Sequence, residues 1–281
     1  MRLKEEEGEG KESSTSLCSL LEEICLGRMR EKERTESESL LPSLDGVEDI
    51  LRYKFNNRSL LEEAFIHPSY HYPEKPCVSY ERLEYVGDSV LNLLMAKELF
   101  LLYPDLSPGP LTKLRAANVD NEKLARVAIK HGFHRYIRHK SPSLEEQIRE
   151  FNEAILAYPV HSNGLIDTPK FLADIVESAI GAVYLDSNFS LDSVWKVFKG
   201  LLEPMISPQT LGMHPMTELM ELCQKKGMRV RFVDAWQQNT TIDVLVDGIL
   251  VGSANYSLKK EIAQNRAAKA ALDNLKRTLL N

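Results

Sequence analysis

ERLEYVGDSVL, residues 81–91, sets three carboxylates, Glu81, Glu84 and Asp88, inside an otherwise apolar run. Read as a helix, the spacing i, i+3, i+7 puts all three on one face, close to where its apolar residues would meet a core. Unpaired charge is costly in such a place, so the stretch calls for solvent or for a compensating cation. The run continues as ERLEYVGDSVLNLLMAKELFLLYP and ends as a helix at Pro104. Gly87 costs up to ~1 kcal/mol against alanine in mid-helix, and close packing of another helix there would account for it.

A second acidic pair lies in LADIVESAIGAVYLD, where Asp174 and Glu177 are i and i+3 among Leu172, Ile175, Val176, Ile180 and Val183. If the two helices meet, Glu84, Asp88, Asp174 and Glu177 surround one point. Four close carboxylates repel unless cations sit between them. Hard divalent cations take oxygen ligands, and Mg²⁺ is the usual choice where phosphate is the substrate. Two such ions roughly 3.5–4 Å apart can activate water and stabilise the leaving oxygen of a phosphodiester. A Glu-x-x-x-Asp pair is also common on solvated helix surfaces, so spacing alone leaves both readings open.

Around these helices, residues 47–206 carry helical apolar spacing with almost no period-2 alternation. VEDILRYKF, SLLEEAFIHPSY, SPGPLTKLRAANVDNEKLARVAIKHGFHRYI, SLEEQIREFNEAILAY and SLDSVWKVFKGLLEPMI read as helices. Breaks fall at Asn56–Asn57, Pro68 and Asn118–Asn121, and Pro169 takes the first-turn position of its helix. Residues 207–213 form a linker. Residues 214–281 then read α-β-β-β-α, with RVRFVDAW, TTIDVLVDG and ILVGSANY as strands and SLKKEIAQNRAAKAALDNLKRTLL as an Ala-rich basic helix. Residues 1–46, rich in charge and in Ser and Thr, are expected to be a mostly disordered extension with one short amphipathic piece, SLCSLLEEICL. The fold class is mainly α, an all-helical domain followed by a small α+β module.

The 281 residues carry a net charge of −6. That average hides a gradient: from Pro208 onward ten Lys+Arg face seven Asp+Glu, a net +3, which leaves −9 on residues 1–207. A basic tail behind an acidic body allows a separate polyanion-binding module. The four cysteines have no CxxC or CxxH spacing, which argues against a structural zinc site or a disulfide framework and fits a reducing compartment. No run approaches the ~20 apolar residues of a membrane helix, and Glu5–Glu7 argue against a transit peptide. The expected location is nucleus or cytoplasm, without secretion.

ERLEYVGDSVL closely resembles the ribonuclease III family signature ERLEFLGDSVL, departing at Tyr85 and Val86. LLEEAFIHPSY, LTKLRAANVDNEKLA and PKFLADIVESAIGAVYLDS resemble further family segments in family order, so the likeness covers nearly all of residues 47–190. The resemblance implies a homodimeric endonuclease that cuts double-stranded RNA with Mg²⁺, or Mn²⁺ as substitute, leaving 5′-phosphate and 3′-hydroxyl ends. It makes Glu84, Asp88, Asp174 and Glu177 the metal-binding acids, Glu177 being most directly tied to cleavage. Lys170 matches a lysine near the cleavage centre, and Glu81 an acid at the rim of the site. Asn92 and Asn121 match structural positions, and His67 a packing histidine. Tyr85 and Val86 are candidates for the dimer face.

The C-terminal module resembles a double-stranded-RNA-binding domain, which reads A-form shape across the minor groove. That resemblance places Lys259 and Lys260 on phosphate at the start of the last helix, where its dipole assists, and Met216, Thr217, Glu221 and Gln224 toward a minor groove. The chain departs from the family's KKxAKxxAA by one extra residue after the lysine pair, so Glu261 stands at the second lysine position when Ala267–Ala268 are aligned. The family's GPxHxxxF loop is absent. Cys223, on the first helix of the module, is read as a core cysteine, with a redox-sensitive thiol near the RNA face as the alternative. One nuclease domain and one RNA-binding domain resemble the layout of the short plant members of the family, or of a bacterial-type enzyme.

Overall fold

A computed structural model describes residues 42–71 and 78–280; the SLCSLLEEICL piece, with Cys18 and Cys25, and Cys77 lie outside the described residues. Helices α1 (Asp45–Leu51), α2 (Arg58–Ala64), α3 (Glu81–Leu102), α4 (Pro108–Val119), α5 (Asn121–His131), α6 (Pro142–Ala154), α7 (Lys170–Asp186) and α8 (Leu191–Phe198) come first. Local chemistry sets their limits. Asn57 caps α2 by accepting the Ser59 N–H at 3.2 Å, and Asp120 separates α4 from α5 by accepting the Lys123 N–H at 2.8 Å. Pro169 stands one residue outside α7, as its extended N-cap, and its carbonyl accepts the Leu172 N–H. The expected first-turn position is thus off by one, because a proline φ suits both places.

The helix α7 runs through the middle of this part. Phe171–Val183 are buried all round, since α2, α3, α5 and α8 pack about it. By contrast α3 buries only a stripe, Leu83, Gly87, Val90, Leu91, Leu94, Met95 and Leu99, at spacings of three and four. Val86 packs against the same core, while Tyr85 points away from it. Among the described residues no helix is long and apolar enough to cross a membrane.

A second core is built from α9 (Pro215–Lys226), β1 (Val230–Ala235), β2 (Thr241–Val246), β3 (Ile249–Asn255) and α10 (Lys260–Leu280). The sheet is antiparallel in the order β1-β2-β3, with Phe232 opposite Val244 and Val244 opposite Gly252. The expected turn at Gln237–Asn239 is a single helical turn, Trp236–Asn239. The Ala-rich face of α10 has a use here. Ala267, Ala268 and Ala271 are fully buried, and a Cβ on Gly252 would lie 2.6 Å from the Ala267 carbonyl oxygen. Small residues on both sides let helix and strand touch.

Residues 158–169, between α6 and α7, carry the contact between the two cores. Asp167 pairs with Lys259 at 2.5 Å and accepts from the Tyr256 hydroxyl at 3.3 Å. Asn265 donates to the Gly164 carbonyl at 2.8 Å and Arg266 to that of Leu165 at 2.9 Å.

Candidate metal centre

The site begins where α3 crosses α7. A Cβ added to Gly87 would lie 1.8 Å from the Glu177 carbonyl oxygen, and one on Gly181 would lie 2.2 Å from that of Leu83. No side chain fits between the two backbones, which is the physical reason for a glycine on each helix. Residues one turn either side of such a crossing must face each other. Oxygens of Glu84, Asp174 and Glu177 accordingly come within 4.8 Å of one another. Asp88 stands at the exposed edge and, with Glu84, Glu177, Lys170 and Asn121, lines a hollow of about 460 Å³. Its carboxylate accepts from Asn92 Nδ2 at 2.8 Å, and the Asn92 oxygen in turn accepts from Arg115.

The cluster is electrostatically costly. Asp174 and Glu177 are 5% and 7% exposed. Burial, reinforced by the negative charges of Asp88, Asp174 and Glu84, pushes the Glu177 carboxyl up to about 8. Burial also raises Asp174, against a hydrogen bond from Lys170 that lowers it. The Lys170 ammonium stands 2.7 Å from Glu84 Oε1 and 2.6 Å from Asp174 Oδ1. Burial works against that charge, but the two carboxylates outweigh it and raise Lys170 above the usual lysine range. One cation thus already sits among four acids, and the remaining charge suits a further one. All the donors are hard oxygens, the set preferred by Mg²⁺ or Mn²⁺ and ill-suited to soft metals. The residues present therefore fit a divalent cation.

Glu81 does not join the cluster. It is exposed and accepts from Ser79 Oγ at 2.8 Å. His67 is turned to structure: its Nδ1 lies 2.8 Å from Ser69 Oγ and accepts the Ser69 N–H, and its ring packs edge-on against Tyr80 and Phe171. Tyr80 carries no signal in the sequence, yet its hydroxyl donates to Asp174 Oδ2 at 3.2 Å. The Asn92–Arg115 contact was equally invisible, since only tertiary packing pairs residues 23 apart on two helices.

In the second core, Lys259 is paired with Asp167 and Lys260 with Asp234. Thr217 and Gln224 are exposed, Glu221 is half-buried, and Met216 packs partly into the core. Thr217 and Lys259 both line an open cleft of about 590 Å³ that also includes Asp120, Asn121 and Asp167. Cys223 is 1% exposed and burial raises its thiol. That setting disfavours the thiolate on which redox chemistry depends.

Residues 81–188 match the family described as the Ribonuclease III domain, and residues 215–275 match the Double-stranded RNA binding motif. The chain is 58% identical over 234 residues to Ribonuclease 3-like protein 3 of Oryza sativa subsp. japonica, a match covering 83% of this chain and 78% of that protein. It is 46% identical over 248 residues to Endoribonuclease Dicer homolog 1 of Arabidopsis thaliana, which covers 85% of this chain but 13% of that protein. Among solved structures, the nuclease domain of a ribonuclease III from Campylobacter jejuni is 28% identical, with a TM-score of 0.44, over 59% of this chain and 100% of that one.

Proposed function

This chain belongs to the ribonuclease III family and is an endoribonuclease of that type, and from that premise we propose that it hydrolyses both strands of structured RNA precursors as a homodimer. In this reading Glu84, Asp88, Asp174 and Glu177 hold two Mg²⁺ ions, and the products carry 5′-phosphate and 3′-hydroxyl ends. The observation that carries it is the convergence of Glu84, Asp174 and Glu177 at the α3–α7 crossing. The bound ions would supply water activation and stabilisation of the leaving oxygen. The chain's own residues do the rest. Glu84 and Asp88 are held on α3 and Asp174 and Glu177 on α7, so the glycine contact fixes the distance between the two pairs. Asn92 restrains the Asp88 carboxylate at the mouth of the site. Lys170 keeps a positive charge beside the acids and next to the hollow, where it can meet a phosphate. No side chain is required to act as general base.

Dimerisation is supported by the outer face of α3. Tyr85, Leu93 and Phe100 are 77%, 55% and 68% exposed and fall along one side of a helix of 22 residues. An apolar stripe of that length, left to solvent, is a protein-contact surface. A second copy of the chain fits it, because a two-fold axis would lay the stripe against itself. The domain limits proposed are 47–206 for the nuclease and 214–281 for the RNA-binding domain, in which Lys259, Lys260, Met216, Thr217, Glu221 and Gln224 would meet the duplex.

The test is incubation of the purified chain with long duplex RNA and Mg²⁺ beside Glu177→Gln. The wild type is expected to produce short duplexes, and the variant to be slower by about 100-fold or more. No cleavage by the wild type, or equal cleavage by both, would overturn the proposal.

A further inference from the structure

We infer that Tyr80 is a positioning residue of the metal site, holding Asp174 on α7 and Glu84 on α3 in mutual register. This rests on the reading of Asp174 and Glu84 as metal ligands. Tyr80 is the residue just before α3 and is 4% exposed. Its backbone carbonyl accepts the Glu84 N–H at 2.9 Å, and its own N–H donates to the Ile66 carbonyl at 2.9 Å. Its hydroxyl reaches across to Asp174 Oδ2 at 3.2 Å. One residue therefore grips the first turn of one helix through its main chain and a carboxylate of the other through its side chain. The ring is fixed in turn, edge-on to His67 at 5.9 Å, and His67 is itself held by Ser69.

Among the described residues, two groups bond to the Asp174 carboxylate, Lys170 at Oδ1 and Tyr80 at Oδ2. They differ in what they do when a cation is present. An ammonium between two carboxylates competes with a divalent ion for the same oxygen lone pairs. A neutral hydroxyl donates along one lone pair and leaves the other lone pairs and the full negative charge available. A phenol ordinarily keeps its proton up to about pH 10, so the hydroxyl is a donor at neutral pH. Tyr80 is thus the partner compatible with a loaded site. Outer hydrogen bonds of this kind orient a ligand, and removing them typically weakens metal binding by about 10–100-fold.

The test uses the full chain and Tyr80→Phe, which keeps the ring and removes only the hydroxyl. Mn²⁺ binding, followed by the electron paramagnetic resonance of the free ion, is expected to weaken by about tenfold or more. Cleavage of duplex RNA should shift to higher Mg²⁺, with KM for RNA unchanged at saturating Mg²⁺. Asp174→Asn is measured alongside. If Asp174→Asn binds Mn²⁺ like the wild type, the metal reading fails and the inference goes with it. If Asp174→Asn weakens binding and Tyr80→Phe does not, the inference alone is overturned. Should Tyr80→Phe not fold, 3-fluorotyrosine incorporated at position 80 gives a second readout. Its ¹⁹F resonance should move on titration with Mg²⁺, and not do so when Asp174→Asn is present; a resonance unmoved by Mg²⁺ overturns the inference.

Discussion

Glu177 occupies a place where a carboxylate is hard to ionise. Its carboxyl is pushed up to about 8 by burial and by three neighbouring acids, from an ordinary value of 4.5. In metal-free protein the native state therefore holds a proton that the unfolded chain has already released. Stability then falls as pH rises from about 4.5 to about 8 and levels off above that, because the native state binds more protons throughout the window. The expected cost is of the order of a few kcal/mol. Glu177→Gln removes the ionisable group at nearly constant shape. In EDTA at pH 8.5 the variant should melt about 4 °C or more above the wild type, and the gap should close near pH 5. Thermal melts across that range decide it, and a gap independent of pH would contradict the assigned environment. At this scale the sequence placed each acidic pair on one face of an apolar helix, but spacing left a solvated surface equally open, and it is the packing of the two helices that brings Glu84, Asp174 and Glu177 together. Glu81, expected at the rim, shares the helical face of Glu84 and Asp88 but lies nearly two turns before Gly87, exposed and bonded to Ser79. Tyr80 could not be read at all: its partner is 94 residues away, and nothing in local pattern links a tyrosine to a distant aspartate.

Gly87, the glycine inside ERLEYVGDSVL, marks the α3–α7 crossing, as its mid-helix cost led one to expect, and Gly181 answers it from the other side. The contact is backbone against backbone, so it has no flexible side chain to move aside. Gly181→Ala is expected to destabilise the chain by about 1–3 kcal/mol or more and to weaken Mn²⁺ binding, because the helices must part and take the acids with them. Gly109→Ala, at the start of α4 with nothing beyond its own chain neighbours within 4 Å of the added methyl, should cost less than Gly181→Ala, limited to the local strain of an alanine before Pro110. Chemical denaturation of both variants, with Mn²⁺ binding on each, tests the difference. If Gly181→Ala matched Gly109→Ala in both, the crossing would not be what sets the site. Helix limits were readable wherever a side chain caps them, as at Asn57 and Asp120. The 3₁₀ turns at Pro68–Tyr70, Phe133–Tyr136 and Ile155–Ala157 were not, because such short pieces follow tertiary contacts more than apolar period.

Across the whole molecule, the switch from helical period to alternation near residue 228 announced a second core, and the basic excess beyond Pro208 allowed a polyanion-binding role for it. The contact between the cores was hidden, because it is made by residues 164–167, a segment with no regular pattern, against the start of α10. That contact bears on RNA binding. Lys259, expected on phosphate, is paired with Asp167, so a duplex must compete with an internal carboxylate for it. An ion pair with a lysine 54% exposed is worth up to ~1 kcal/mol. Asp167→Asn should therefore tighten duplex RNA binding by no more than about fivefold, measured in EDTA so that no strand is cut. Lys259→Ala should loosen binding and reduce the slope of log K against log salt by about 1, the signature of one lost phosphate contact. In Asp167→Asn the slope should be kept, since Lys259 already meets its phosphate in the wild-type complex and only the cost of breaking its pair with Asp167 is removed. If Asp167→Asn binds duplex more weakly than the wild type, the Asp167 pair supports the bound geometry instead of competing with it. Equal salt slopes for Lys259→Ala and the wild type would remove Lys259 from the RNA face altogether.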